Sequence, residues 1–219
     1  VGKTYIVLEA ARVHGLRLKY FSSATLDPWA DLVGIPVPKI GNTPAGPIKE
    51  LVFIRPQDVN DAEILFFDEL NRAHPKIHNA VLEAIQFHTI NGVPLQHLKM
   101  VWAAINPPND VYSVNELDPV LTDRFHVFVE VPAQPSIVYY TDIAKIPENV
   151  AKALVEWWHE DLDDNLRKAI SPRRLEYMGR NYGYGIDFQY SVPSSIKVPI
   201  KHLIKRIEGN YILPFELTR

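Results

Sequence analysis

Apolar positions along the chain follow two periods, and the switch between them divides it. Residues 4–14 read as a helix, with Gly15 as its stop. Residues 16–21 alternate apolar and basic and predict a strand. Residues 22–39 read mostly as loop, with Asp27-Pro28 as a helix start, and residues 40–47 are turn-rich before a short strand at 51–54. Ile64-Leu65-Phe66-Phe67 is an unbroken apolar run, as a strand covered on both faces requires. A helix is predicted over 75–87, since Pro75 is tolerated in a first turn, and Asn91-Gly92 is a strong hairpin signal. Residues 100–105 and 127–131 complete the strands. Beyond Pro132 the period becomes helical, over 136–145, 148–162, 172–182 and 195–208. These readings predict an α/β portion, residues 1–131, followed by a small all-helical portion, residues 132–219.

Composition narrows the classes. The 219 residues are 47% hydrophobic and 22% charged, which excludes wholesale disorder. The formal charge is −3, so the chain as a whole exerts no pull on nucleic acid or anionic membrane. No apolar run approaches the roughly 20 residues of a spanning helix. There is no cysteine, which removes disulfides, thiolate nucleophiles and cysteine–zinc sites and fits a reducing, cytoplasmic home.

Two short segments carry chemistry. Val1-Gly2-Lys3-Thr4 directly precedes the first helix and matches the end of the phosphate-loop pattern G-x-x-x-x-G-K-[ST]. Glycine lets the backbone approach phosphate, the helix N-terminus adds partial positive charge, lysine reaches the outer phosphates and the hydroxyl ligates magnesium. A chance triplet before a helix is the alternative. Asp68-Glu69 ends the buried strand at 64–67, where open α/β sheets place their ligands. Such an acid pair suits magnesium (Asp68) and activation of a water (Glu69); an acidic helix start is the alternative.

Several motifs in order make the sequence resemble the AAA+ ATPases, more narrowly their MoxR/dynein-midasin branch. Phe66-Phe67-Asp68-Glu69-Leu70-Asn71-Arg72-Ala73 resembles that branch's Walker B segment with its D-E-x-N-R-A. Asp31-Leu32-Val33-Gly34 resembles the D-L-x-G after the second strand, and Val101-Trp102-Ala103-Ala104-Ile105-Asn106-Pro107 the strand ending in the sensor 1 asparagine. Leu117-Asp118-Pro119-Val120-Leu121-Thr122-Asp123-Arg124-Phe125 resembles the box with the arginine finger, and Ser171-Pro172-Arg173-Arg174 the sensor 2 segment. The resemblance implies a P-loop NTPase-type parallel sheet with flanking helices and a helical lid. It implies that the strand leading into the phosphate loop, and the start of that loop, either lie upstream of Val1 or come from elsewhere.

The same resemblance implies the roles. Gly2, Lys3, Thr4 and Asp68 bind nucleotide, and Thr4 and Asp68 hold Mg2+. Glu69 is the general base for hydrolysis of ATP, and Asn106 orients the attacking water or the γ-phosphate. Arg124 serves a neighbouring subunit's nucleotide, and Arg173 contacts the γ-phosphate from the lid. Taken alone, Asn106 could cap a turn, Arg124 could pair with Asp123, and Arg173 could face water. The expected partners are copies of the same chain in a ring, a hexamer, and a protein substrate or adaptor. The Asn91-Gly92 hairpin is expected to face a partner or to be a plain surface hairpin. Arg72 lies either at a subunit seam or in an exposed salt bridge.

Two other functions compete with partner remodelling. One is a nucleic-acid-linked motor of the McrB or helicase-loader kind. The acidic balance disfavours it, and Ala104-Ile105-Asn106-Pro107-Pro108-Asn109-Asp110 departs from the M-N-T-A-D-R-S of McrB. The other is a nucleotide-bound scaffold with little turnover, which would not need the acids and arginines. His74 and His78 lack further ligands for a metal. The tyrosine- and glycine-rich segment 180–186 reads as a loop rather than a base-stacking surface. Lys197, Lys201, Lys205 and Arg206 read as a solvated stripe on the last helix.

Overall fold

The computed structural model describes residues 2–43, 46–106 and 116–209, which divide into two compact units, one up to Val129 and one from Glu130 onward. The first unit is built on a three-stranded parallel sheet of order β1-β4-β7, with β1 at Leu18–Ser22, β4 at Ile64–Asp68 and β7 at Met100–Ala103. The central place falls to the strand with the longest apolar run. Ile64, Leu65, Phe66 and Phe67 have no exposed surface, as a strand covered on both faces demands. Register is set by Leu18 opposite Ile64 and Ile64 opposite Met100, which brings Ser22 level with Asp68. Phe21 stacks on Phe67 with ring centroids 5.0 Å apart.

Helix Lys3–Val13 opens the chain and helix Pro75–Phe87 follows the central strand. The second buries Ile77, Ala80, Val81 and Ala84 into the same core as Leu65, Phe67 and Leu121. His74 caps it, its Nδ1 accepting from the Lys76 N–H at 3.1 Å. His78 Nε2 lies 2.9 Å from the Leu70 carbonyl, so both histidines hold backbone. Asn91 (φ 52°) and Gly92 (φ 71°) join β5, Thr89–Ile90, to β6, Val93–Pro94. Two positive φ values in a two-residue loop are what the Asn-Gly pair permits.

Three expectations are corrected. Residues 22–39 and 40–47, read as loop and turn, contribute to an antiparallel ribbon, β2 at Ile35–Thr43 against β3 at Gly46–Ile54. Its prolines mimic loop composition. They are tolerated because, among the described residues, each strand has a single partner and can place Pro36 and Pro38 at rungs that need no N–H. Asp27 does start a helical segment, Pro28–Val33, accepting from the N–H groups of Trp29 and Ala30. Residues 127–131 form no strand, and Val127, Phe128 and Val129 are more than two-thirds exposed. A strand exists through its neighbour's hydrogen bonds, and among the described residues β7 pairs only with β4. The strand expected over 100–105 also ends early, at Ala103.

The second unit is helical. Helices Glu148–Glu160, Asp164–Ala169, Pro172–Gly183 and Ile200–Gly209 surround a core that includes Trp157, Tyr140, Leu154, Met178 and Phe188. The buried aromatics satisfy their polar tips on backbone carbonyls at or beside helix ends. Trp157 donates to the Pro199 carbonyl at 3.1 Å, Trp158 to Ile170 at 2.8 Å and Tyr140 to Pro172 at 2.8 Å. Helix Asp164–Ala169 has no counterpart in the sequence reading, the helix expected over 136–145 is present as a wide helical segment at Tyr139–Ile143, and the last helix begins at Ile200 rather than 195. Arg206 is not part of a solvated stripe: its guanidinium reaches Asp161 and Glu160 at 2.7 Å each. No described helix is long and apolar enough to cross a membrane.

Candidate functional site

The carboxyl end of β4 and the N-terminus of the first helix meet. Thr4 Oγ1 donates to Asp68 Oδ2 at 2.6 Å, and Lys3 Nζ donates to Asn106 Oδ1 at 2.6 Å. Asn106 Nδ2 approaches Glu69 Oε1 at 3.4 Å, which closes a continuous polar path through Lys3, Asn106 and Glu69. Five residues from three stretches of chain thus converge on one edge of the sheet.

Local backbone explains the convergence. Gly2 precedes the helix in the left-handed region (φ 92°), where a glycine carries no steric cost. Glu69 adopts the same region (φ 56°, ψ 41°), at a cost on the order of 1–2 kcal/mol for a residue with a Cβ. The turn is held by Leu70 N–H on the Ala104 carbonyl at 3.0 Å, by Ala104 N–H on Phe67 at 2.9 Å and by Ser23 N–H on Asp68 at 2.9 Å. Burial pulls the Lys3 amine below the ordinary lysine range, and the nearby carboxylates of Asp68 and Glu69 oppose that pull in part.

The residues fit a magnesium triphosphate in kind. A hydroxyl and a carboxylate share a hydrogen bond where a hard cation would find two oxygen ligands. No cluster of three or more His, Asp or Glu able to hold a metal occurs among the described residues. Phosphate and water oxygens would therefore have to complete the shell, as magnesium in nucleotide sites commonly accepts. The backbone donors at the start of the 11-residue helix add to the same corner.

The two arginine candidates lie on other elements. Arg124 follows the turn Pro119–Thr122 and pairs with its neighbour Asp123 at 3.3 Å, partly exposed. Arg173 is exposed in the first turn of helix Pro172–Gly183, within the helical unit. The adjacent Arg174 donates to the Ser191 carbonyl at 3.2 Å and is occupied inside that unit. Residues 107–110, which carried the contrast with McrB, lie outside the described residues.

Of two further contacts at the site, one was not read from sequence and the other is the exposed salt bridge offered as a reading of Arg72. Tyr20 OH lies 3.4 Å from Asp68 Oδ2, and Arg72 Nη1 lies 3.5 Å from Glu69 Oε2. The first depends on which strand neighbours β4, and a single sequence does not encode that pairing locally. For the second, the spacing Glu69-x-x-Arg72 was itself the signal.

Residues 28–125 match the family model described as AAA domain (dynein-related subfamily). Among solved structures, a RuvB mutant from Thermotoga maritima is 13% identical with a TM-score of 0.51, covering 95% of this chain and 58% of its own. A second RuvB mutant from the same organism is 14% identical (TM-score 0.49, 95% and 59%). A full-length MCM homolog from Methanopyrus kandleri is 19% identical (TM-score 0.37, 94% and 44%). The chain thus spans somewhat under three-fifths of the RuvB chains. No curated protein matches the sequence. The RuvB structure with a TM-score of 0.51 speaks, at 13% identity, for the fold alone, and residues 28–125 are similar to the AAA domain of the dynein-related subfamily.

Proposed function

We propose that the chain hydrolyses ATP with Mg2+ and works in a ring of its own copies to remodel a protein partner, in the manner of MoxR-like members of the branch. The observation that carries this reading is the hydrogen-bonded convergence of Lys3, Thr4, Asp68, Glu69 and Asn106 at the end of β4. Lys3 exchanges its bond to Asn106 for phosphate oxygens, a good trade because an amine neutralises charge that an amide cannot. Glu69 accepts the proton of the attacking water, and Asn106 orients that water, donating and accepting without changing charge. Thr4 and Asp68 would hold Mg2+, which when bound would supply positive charge to offset the phosphate oxygens.

Assembly belongs to the same reading. Arg124 is partly exposed and, among the described residues, paired with an exposed neighbour, so a subunit alongside can draw it to its own phosphates. Arg173 rests on its Ser171-Pro172-Arg173 motif and its exposure. The cysteine-free composition supports a cytoplasmic setting. Replacing Glu69→Gln tests the core of the reading: ATP still binds, while turnover falls by about 10²-fold or more. Turnover at the unmodified rate would remove Glu69 as base and the proposal with it.

A further inference from the structure

Asn71 is 3% exposed, yet it sits two residues beyond Glu69 in the tight turn Leu70–Arg72. Its Nδ2 donates to the backbone carbonyl of Asn106 at 2.8 Å. Its Oδ1 is buried with no hydrogen-bond partner among the described residues. A buried amide with an orphan acceptor is costly, and an apolar side chain of the same shape would avoid that cost. The amide direction is fixed by chemistry, because only the NH2 can face a carbonyl oxygen. The fold keeps this side chain for one contact.

That contact has a specific consequence. Leu70 N–H on Ala104 and Asn71 Nδ2 on Asn106 fasten the segment after β4 to the segment after β7 at two successive points. With its carbonyl gripped from below, Asn106 projects its own amide between Lys3 and Glu69, at 2.6 and 3.4 Å. Side-chain aim depends on backbone position, and a displacement near 1 Å in such a group costs about 100-fold in rate.

We propose that Asn71 is a positioning residue: it holds the Asn106 backbone so that the Asn106 amide faces the reacting water and the outer phosphate. The proposal rests on the ATPase reading above for its consequence in rate, and on geometry alone for the anchor.

The deciding variant is Asn71→Leu in the full chain, which keeps the branching of asparagine but removes both the donor and the orphan acceptor. Thermal stability is expected to be unchanged or raised. KM for ATP is expected within about threefold of the unmodified protein, with kcat about 100-fold lower. Amide exchange across residues 104–106, followed by mass spectrometry, is expected to accelerate. Should the leucine not be accommodated, Asn71→Asp has the same outline without the donor and carries the same expectations for kcat, KM and exchange. Unchanged exchange over 104–106, or a kcat within twofold, overturns the proposal. If the unmodified protein hydrolyses no ATP while the variant still loosens 104–106, the anchor stands and the ATPase reading is what fails.

Discussion

Glu83 gives the sharpest test of how the short hairpin is held. Its carboxylate accepts from the Thr89 hydroxyl at 2.6 Å, the Asn91 N–H at 2.9 Å and the Gly92 N–H at 2.7 Å. It also faces the charge of Arg55, which is only 8% exposed. Glu83→Ala removes all three acceptor contacts and leaves a buried guanidinium without that counter-charge. Hydrogen bonds to a charged group contribute about 1.5–3 kcal/mol each when shielded. The turn faces water, which replaces much of that, so about 2 kcal/mol is the expected loss of local stability, or roughly 30-fold in the opening equilibrium. Amide exchange of Asn91 and Gly92, read by NMR at neutral pH, should accelerate by that factor. Glu83→Gln should fall between, since an amide offers one oxygen and turns a donor toward the others. Exchange within threefold of the unmodified protein in Glu83→Ala would refute the reasoning.

The pH dependence follows from the same contacts. Burial pushes the Glu83 carboxyl up, but the bonds from Thr89, Gly92 and Asn91 and the charge of Arg55 outweigh it and hold the group below its ordinary value. A carboxyl depressed in the folded state stabilises fully above its unfolded value, about 4.3. That stabilisation is lost as pH falls through the lower folded value. Turn protection should therefore fade below about pH 4 in the unmodified protein, and Glu83→Ala should lack this transition.

Three further substitutions probe other parts. In Gly34→Ala the new Cβ would lie 2.8 Å from the Ile54 carbonyl carbon and oxygen, at a φ of 105°; urea unfolding should show a loss of about 2 kcal/mol or more, and an unchanged midpoint would contradict the close approach at the ribbon's base. In Gly179→Ala the Cβ meets Ile146 Cδ1 at 2.6 Å and Leu154 Cδ1 at 3.0 Å inside a closed core, so thermal unfolding should register about 1–3 kcal/mol. Arg206→Ala removes the bonds to Asp161 and Glu160, at a cost of about 1 kcal/mol that added salt should reduce. The Arg206 hydrogen bond is also the main cause that holds Asp161 below its usual range, so acid unfolding near and below about pH 4 should be less steep in the variant; an identical acid profile would sink that assignment.

What could be read in advance follows from the range of each signal. The central strand, helix Pro75–Phe87 and the Asn91-Gly92 turn are written in contiguous residues, so pattern alone locates them. Apart from residues 51–54, the strands β2 and β3 are not, because Pro36, Pro38 and Gly41 carry loop composition and only pairing between the two strands makes them strand. The strand misread at 127–131 is the converse: Val127, Phe128 and Val129 suit a strand, yet β propensity needs a partner edge. At the site, residue types announced themselves through Gly2-Lys3-Thr4 and Asp68-Glu69. The bonds that join them span 64 and 103 residues, a distance no local period encodes. The Arg206 contact with Asp161 was missed for the same reason, across 45 residues.

The two prolines of β2 have a consequence for how crowded copies of this chain behave. Strand edges are templates on which exposed β-structure grows into fibrils, and this ribbon carries exposed Ile40, Leu51 and Ile54. With Pro36 opposite Phe53 and Pro38 opposite Leu51, successive amide hydrogens are missing from one margin near its base. A foreign strand arriving there finds gaps where its carbonyls need donors, so the ribbon can stay sticky on its faces while its proline-bearing rim resists runaway polymerisation.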